Sequence, residues 1–458
     1  MIEPTTYHPD WIHEVKRRLG KKYDAKLIEK VIYALIFLEQ LKLNGLEFIF
    51  KGGTALLLAT KEPKRFSIDI DIITEQTQSE IETILKKISK NSAFTHWEDD
   101  NNRKHTPDAP IGHFKMYYTS VVDGNVEPIL LDVLYTPNPY PELMEIPIEH
   151  DWIKTAGKIT TVQMPTFDAI LGDKLTAFAP KTTGILFSKN RPVEIIKQLF
   201  DVAFLMDNIT DLKVVQNSYN KVVEEEIKFR KLKVSAHQVL EDTQEACFVL
   251  STRDGNSEEF KQLQLGVSNF TNFTISRFNL EEAITAASKA AYLAEVLKNE
   301  TLTKLEIFKN PSQVKDWMIE NQQFNKLNKL KKSNPEAFFY WYIVVSIFVK
   351  NNLVFSSQEI KAFIVAVGYY KYRKEKFLNE EAMLQIKEKL DSNISFKSFN
   401  DIELSSIKDI IDENIEHITK VDYEGLSQDF LISRKQEILE PLFEIRKRIL
   451  NFRNTQNV

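Results

Sequence analysis

The stretch FIFKGGTALLLATKEPKRFSIDIDIITE, residues 48–75, restricts the possible fold more than any other part of the chain. The apolar run EFIF ends in Lys51-Gly52-Gly53 and passes directly into TALLLA. That order reads as strand, tight turn, helix. The chain has 13 glycines in 458 residues, under half the usual share of about 7%. Two in a row therefore mark a place where the backbone comes close to another group. SIDIDII follows and alternates strictly, as a strand with one core-facing side does. Ser67, Asp69, Asp71 and Ile73 share one face, and Phe66, Ile68, Ile70 and Ile72 share the other. The first face carries two carboxylates, roughly 7 Å apart by the rise of a strand.

Paired carboxylates repel each other unless a cation lies between them. A hard divalent ion with oxygen ligands meets that need, and Mg²⁺ takes one or two carboxylates plus substrate phosphates. A third carboxylate occurs in VEPILLDVLY, where Asp132 is the only charge within ILLDVLY. Both faces of that strand are otherwise apolar, so it is expected in the middle of a sheet. An aspartate there is costly unless it is paired or bound to metal. Beside SIDIDII it completes three convergent carboxylates at Asp69, Asp71 and Asp132, enough for a two-metal site. A structural ion pair of Asp132 with a nearby Lys or Arg is the other reading. The glycine turn opens a helix whose first N–H groups suit a phosphate, with Lys51, Gly52, Gly53 and Thr54 as the cradle. It is not a Walker loop, because the G-x-x-x-x-G-K-[ST] spacing is missing.

Along the chain, strands are expected across roughly residues 45–165, and helices cover the rest. DWIHEVKRRLG and DAKLIEKVIYALIFLEQLKLN show helical spacing, and TQSEIETILKKISK has a Ser/Thr-type helix start. IGHFKMYYTSVV and VEPILLDVLYTP read as two strands joined at Asp123-Gly124-Asn125. EDDNNRKHTPDAP, residues 98–110, reads as a loop, and KITTVQMP as a further short strand. A domain boundary is expected near 208–215, giving domains 1–210 and 211–458. Net charge is −5, so a globally basic nucleic-acid footprint is absent, while a local patch remains open. The basic runs KFRKLK (228–233) and NKLNKLKK (325–332) are solvated helix faces or, less commonly, RNA contacts. One cysteine, Cys247, excludes a disulfide framework and a cysteine zinc site and fits a cytoplasmic setting. The first residues lack the apolar core of a signal peptide. FFYWYIVVSIFV, residues 338–349, is too short for a membrane span and is expected as a buried helix.

The motif KGGTAL, followed after about ten residues by Arg65-Phe66-Ser67-Ile68-Asp69-Ile70-Asp71, resembles the AbiEii/AbiGii toxin family. Those proteins are nucleotidyltransferases of the DNA polymerase β-like superfamily, and the MenT toxins are similar. DKLTA, residues 173–177, resembles the family's (E/D)-K-L-x-A helix and implies a catalytic or phosphate-binding role for Lys174. The family's R-D-x-x-D motif corresponds to Lys197-Gln198-Leu199-Phe200-Asp201, which keeps Asp201 but has Gln198 for the first aspartate and Lys197 for the arginine. The resemblance covers roughly residues 30–210. It implies an α+β fold, a mixed polymerase β-like sheet flanked by helices, followed by a largely helical C-terminal region.

The implied reaction is Mg²⁺-dependent transfer of NMP from an NTP, with pyrophosphate leaving. Asp69 and Asp71 are the expected metal ligands, and Asp132 is a third ligand or a base. Lys174 neutralises phosphates, Asp201 is the functional aspartate of its helix, and Lys51, Gly52, Gly53, Thr54, Arg65 and Ser67 face the NTP. Arg65 either does the same work as Lys174 or supports the strand. The resemblance further implies an RNA acceptor, tRNA first, a cognate antitoxin encoded nearby and a part in phage defence, with no membrane and no DNA specificity expected. The alternatives are transfer to a small molecule or protein, and an inactive binding module.

Overall fold

The structure, a computed structural model, describes residues 1–20, 23–103, 109–299, 304–352, 357–373, 386, 401–420 and 435–456. Residues 104–108 of the expected loop at 98–110 lie outside them, and its first two residues, Glu98 and Asp99, are in a strand. The described residues form two compact units, Met1–Ile307 and Phe308–Val458.

The first unit is built on a mixed seven-stranded sheet. Its strands are β1 (Ile49–Lys51), β2 (Ile70–Thr74), β3 (His96–Asp99), β4 (Ile111–Thr119), β5 (Val126–Tyr135), β6 (Leu143–Pro147) and β7 (Thr161–Pro165). Their order across the sheet is β3-β4-β5-β2-β1-β7-β6. β2 runs parallel to β5 and β1 parallel to β7, while the other neighbours are antiparallel. The apolar residues of β4 and β5 that alternate with polar ones, Phe114, Met116 and Tyr118 with Ile129, Leu131 and Val133, are buried. β5 is internal, as its two apolar faces predicted.

The helices are α1 (Pro9–Leu19), α2 (Ala25–Leu43), α3 (Gly52–Ala59), α4 (Gln78–Asn91), α5 (Phe167–Ala177), α6 (Pro192–Met206), α7 (Leu212–Phe229), α8 (Ala236–Thr252), α9 (Glu258–Phe270) and α10 (Leu280–Lys298). α2 is apolar nearly all round and accordingly buried along most of its length. Thr77 and Glu80 form the capping box that starts α4. Ile49 and Ile73 meet Ala169 of α5 and Val214 and Val222 of α7 in one apolar cluster, so α5 and α7 cover the sheet on that side.

Three expectations are corrected. The boundary placed near 208–215 falls inside the first unit, because α7 packs along α5, α9 and α10 along α6, and α8 along α10. The strand read in SIDIDII starts only at Ile70, since Phe66 N–H is taken by the Phe273 carbonyl (2.8 Å) and Arg65 bridges to Thr274. The segments of β3 and β6 were not read as strands. β3 and β6 are the outermost strands, and β3 alternates weakly because most of its residues are exposed.

In the second unit, residues 308–329 are irregular apart from two short 3₁₀ turns, and the described residues after them are largely helical. α11 (Leu330–Ser333) leads into α12 (Pro335–Asn352), in which Phe338, Phe339, Tyr340, Trp341, Val344 and Val345 are buried. The aromatic run is core, as expected. α13 (Ser357–Arg373) packs with helices Asp401–Lys420 and Glu440–Gln456 around Phe363, Ile407, Ile410, Ile411, Leu442 and Ile445. No helix among the described residues is long and apolar enough to cross a membrane.

Candidate active site

Strand register assembles the polar centre. Lys51 on β1 stands opposite Asp71 on β2, Asp71 opposite Asp132 on β5, and Asp132 opposite His113 on β4. Paired residues of adjacent strands point to the same face. Four strands thus contribute one transverse row: Lys51, Asp71, Asp132, His113. Lys51 and Asp71 of this row line a cleft of about 250 Å³, together with Gly52, Lys174, Gln198 and Arg230, among others.

The two middle members of the row are carboxylates, and the pair is electrostatically uncomfortable. Burial, then Asp132, then Asp69 push Asp71 up to about 7, only partly offset by Lys51 and Lys174. His113 Nδ1 lies 2.7 Å from Asp132 Oδ1. Since an ionised carboxylate only accepts hydrogen bonds, the imidazole N–H is the donor there. At the other end Lys51 Nζ is 3.0 Å from Asp173 Oδ2, and the Tyr140 hydroxyl donates to the same oxygen at 2.5 Å. Burial alone would discharge Lys51, but Asp173 and Tyr140 hold its pKa well above the usual lysine range.

The glycines make room for the site's own side chains. Gly52 has φ +79°, and a Cβ there would lie 2.1 Å from Asp71 Oδ2. A Cβ at Gly53 would lie 2.3 Å from Arg65 Nη2 and 2.7 Å from Ser67 Oγ. Thr54, expected to reach a phosphate, is fully buried, and its hydroxyl donates to the Asp69 carbonyl at 2.6 Å. It fixes the backbone at Asp69, and its own hydroxyl is not offered to the cleft.

A second constellation lies where α5 and α6 meet. Arg65 Nε and Nη2 each donate to Asp201 at 2.7 Å, and Lys174 Nζ is 2.9 Å from Asp201 Oδ2. Burial would raise the Asp201 pKa, but Arg65 and then Lys174 hold it at about 2. Arg65 therefore supports the site through a buried bidentate pair, the second of the two roles expected for it. Asp201 does not pair with Lys197, which instead meets Glu194 at 2.8 Å. Lys174 also donates to Gln198 Oε1 at 2.9 Å. The residue that departs from the family motif still accepts a hydrogen bond from the lysine.

The donor set suits a hard cation. Asp69 and Asp71 supply oxygens, and the repulsion at Asp71 is what such an ion would relieve. Asp69 and Asp132 both lie close enough to Asp71 to act on its charge, and Asp132 is its register partner. Among the described residues no three His, Cys, Asp or Glu side chains gather as a metal cluster, and Asp132 is engaged by His113. A cation held there would take the remainder of its ligands from substrate oxygens or water. His113 was missed in the sequence and Arg230 was seen only as part of the run KFRKLK. Arg230 lines the cleft beside Lys174, held by Glu226 (2.9 Å) and donating to the Gly184 carbonyl (3.1 Å).

Comparison with known proteins follows this geometry. A family model described as nucleotidyl transferase AbiEii toxin, type IV TA system, matches residues 36–324, more than half of the chain. Among solved structures, one from H. pylori described as a nucleotidyltransferase aligns at 16% identity and TM-score 0.35, over 61% of this chain and 97% of that one. JHP933 from Helicobacter pylori aligns at 14% identity and TM-score 0.34, over 61% and 94%. No curated protein matches. The matched span contains the transverse row, Arg65, Lys174 and Asp201, and the chain belongs to the AbiEii nucleotidyltransferase toxin family of type IV toxin–antitoxin systems.

Proposed function

We propose that this nucleotidyltransferase transfers NMP from an NTP to RNA, with tRNA as the first acceptor to test, and that it acts as the toxin of its system in phage defence within the cytoplasm. The observation that carries the reading is Asp71, the register partner of Asp132, lining the same cleft as Lys174. Asp69 and Asp71 would hold Mg²⁺, and the bound ion would bind the triphosphate and offset charge on the phosphates. Asp132 is taken here as the base and not as the third ligand that a second ion would need.

Each residue of the chain then has a task. Lys51 and Lys174 bring positive charge to the triphosphate, where fixed charges in a water-poor site act most strongly. The N–H groups at the start of α3, near Gly52 and Gly53, face phosphate oxygens, and Ser67 shares that side. Asp201 and Arg65 hold Lys174 in place. Asp132, engaged by His113 and set beside Asp71, is the base that takes the acceptor's proton. Family membership implies an antitoxin partner. RNA is favoured over a small acceptor because Arg230 of the run KFRKLK lines the same cleft, where it would meet a phosphate backbone.

Incubation with α-labelled NTPs, one at a time with Mg²⁺, tests the reading on total tRNA and on the protein itself, with Asp69→Ala beside wild type. Label on tRNA that is lost in the variant and falls steeply with salt supports it. Label on the protein or on neither acceptor, with NTP still bound, moves the acceptor to a protein or a small molecule.

A further inference from the structure

We infer that His113 is a positioning residue for the transfer step, holding Asp132 in the orientation in which it takes the acceptor's proton. The inference rests on the proposed role of Asp132 as base and adds the group through which that role is set. His113 faces Asp132 across the β4–β5 register with Nδ1 2.7 Å from Oδ1, and its side chain is only 14% exposed. Its backbone is clamped on both sides: the Asp100 N–H donates to its carbonyl at 2.8 Å, and its own N–H donates to Asn101 Oδ1 at 2.9 Å. The Asp132 carboxylate stands in register beside Asp71. The imidazole N–H fixes one oxygen and so fixes the plane of the group.

In the step itself the acceptor hydroxyl oxygen forms a bond to the α-phosphorus while its proton passes to the Asp132 carboxylate. The bond from the α-phosphorus to the bridging oxygen breaks, and its electron pair leaves with pyrophosphate. His113 exchanges no proton with the substrate. Its contribution is the geometry of the accepting oxygen, on which a rate depends steeply.

The experiment is steady-state transfer by the full chain with His113→Phe, His113→Asn, Asp132→Asn and the double variant His113→Phe/Asp132→Asn. Loss of a hydrogen-bonding partner behind a functional group commonly costs about 10–100-fold. His113→Phe is therefore expected to lower kcat by about tenfold or more with KM for the NTP nearly unchanged. His113→Asn, whose amide N–H replaces Nδ1–H, is expected to recover most of the rate, and the double variant to be no slower than Asp132→Asn. Equal loss in His113→Phe and His113→Asn, or a change confined to KM, would overturn the inference, as would a wild-type rate in His113→Phe while Asp132→Asn is slow. A wild-type rate in Asp132→Asn would remove the base itself, and the role of His113 with it.

Discussion

Two aspartates on either side of Lys174 sit in opposite electrostatic surroundings. Asp71 has two carboxylates for neighbours and is pushed up to about 7; Asp201 has a guanidinium and an ammonium and is held at about 2. Both are drawn in by the fold, yet one is left undercompensated and the other is overcompensated. Asp201 needs nothing from outside the chain, and its pairing with Arg65 joins the segment before β2 to α6 over 136 residues of sequence. Asp71 carries an imbalance that a cation would remove. The difference separates a structural latch from a binding position, although both residues are acidic and inward-facing.

The largest expected effect breaks the latch. Asp201→Asn would leave Arg65 and Lys174, 9% and 12% exposed, without their counter-charge. Stripping one partner from a buried pair costs about 3–5 kcal/mol. Urea unfolding should show a loss of that size, and a loss below about 1 kcal/mol would mean that the pair behaves as a surface ion pair. The same change at the other pole should behave differently. Asp71→Asn removes a repelled charge, so unfolding stability without metal should hold or rise. Transfer should fall by about 10²–10³-fold, as when a fixed electrostatic contact to the reacting group is removed. An Asp71→Asn protein that is destabilised as severely as Asp201→Asn would erase the distinction.

A pH series sharpens it. Asp71 has a folded pKa of about 7 against an ordinary value of 3.8, so the folded state binds the proton more tightly than the unfolded state. Its contribution to stability is therefore greatest below about 4 and is lost as pH rises to about 7. Asp201 has the opposite sign: its folded pKa of about 2 lies below 3.8, so its stabilisation is present above about 4 and lost as pH falls through 2. Because a divalent cation competes with the proton on Asp71, the rise in Tm given by Mg²⁺ should grow between pH 5 and pH 8 and vanish in Asp71→Asn. A Mg²⁺ shift independent of pH would place the ion elsewhere.

How far the sequence discloses this arrangement depends on the range of the interaction. Asp69, Asp71 and the glycines were legible because their signals are local: a period of two, and a pair of glycines in a glycine-poor chain. The neighbourhood of Asp132 and Asp71 was also legible, since a lone charge in an apolar strand needs a partner nearby. His113 was not, because its place opposite Asp132 depends on a hairpin whose loop runs from 120 to 125, wider than the Asp123-Gly124-Asn125 turn suggested. The hydroxyl of Thr54 looked available because the sequence does not show that α3 begins at Gly52 and buries the next turn. The unit boundary was misplaced because a change from strands to helices marks a change of element and not a change of core. The helices from 212 to 298 pack with α5 and α6, and nothing in their periodicity states against which surface they lie.

The smallest expected effect concerns the residue that departs from the family motif. Gln198 accepts a hydrogen bond from Lys174, and Asp201 supplies that lysine with its negative charge. Gln198→Glu keeps the shape and adds a second carboxylate to the same ammonium. The folded state should tolerate it, since the new charge meets a cation, though Asp201 close by limits any gain. Substrate binding is where the change should appear. A lysine neutralised twice attracts a triphosphate less, so KM for the NTP should rise by about two- to tenfold, equivalent to about 0.4–1.4 kcal/mol, with kcat little altered. A fall in kcat at constant KM would instead give Lys174 a part in the transition state that ground-state binding does not share, and would move it from the phosphate-holding side of the comparison to the reacting side.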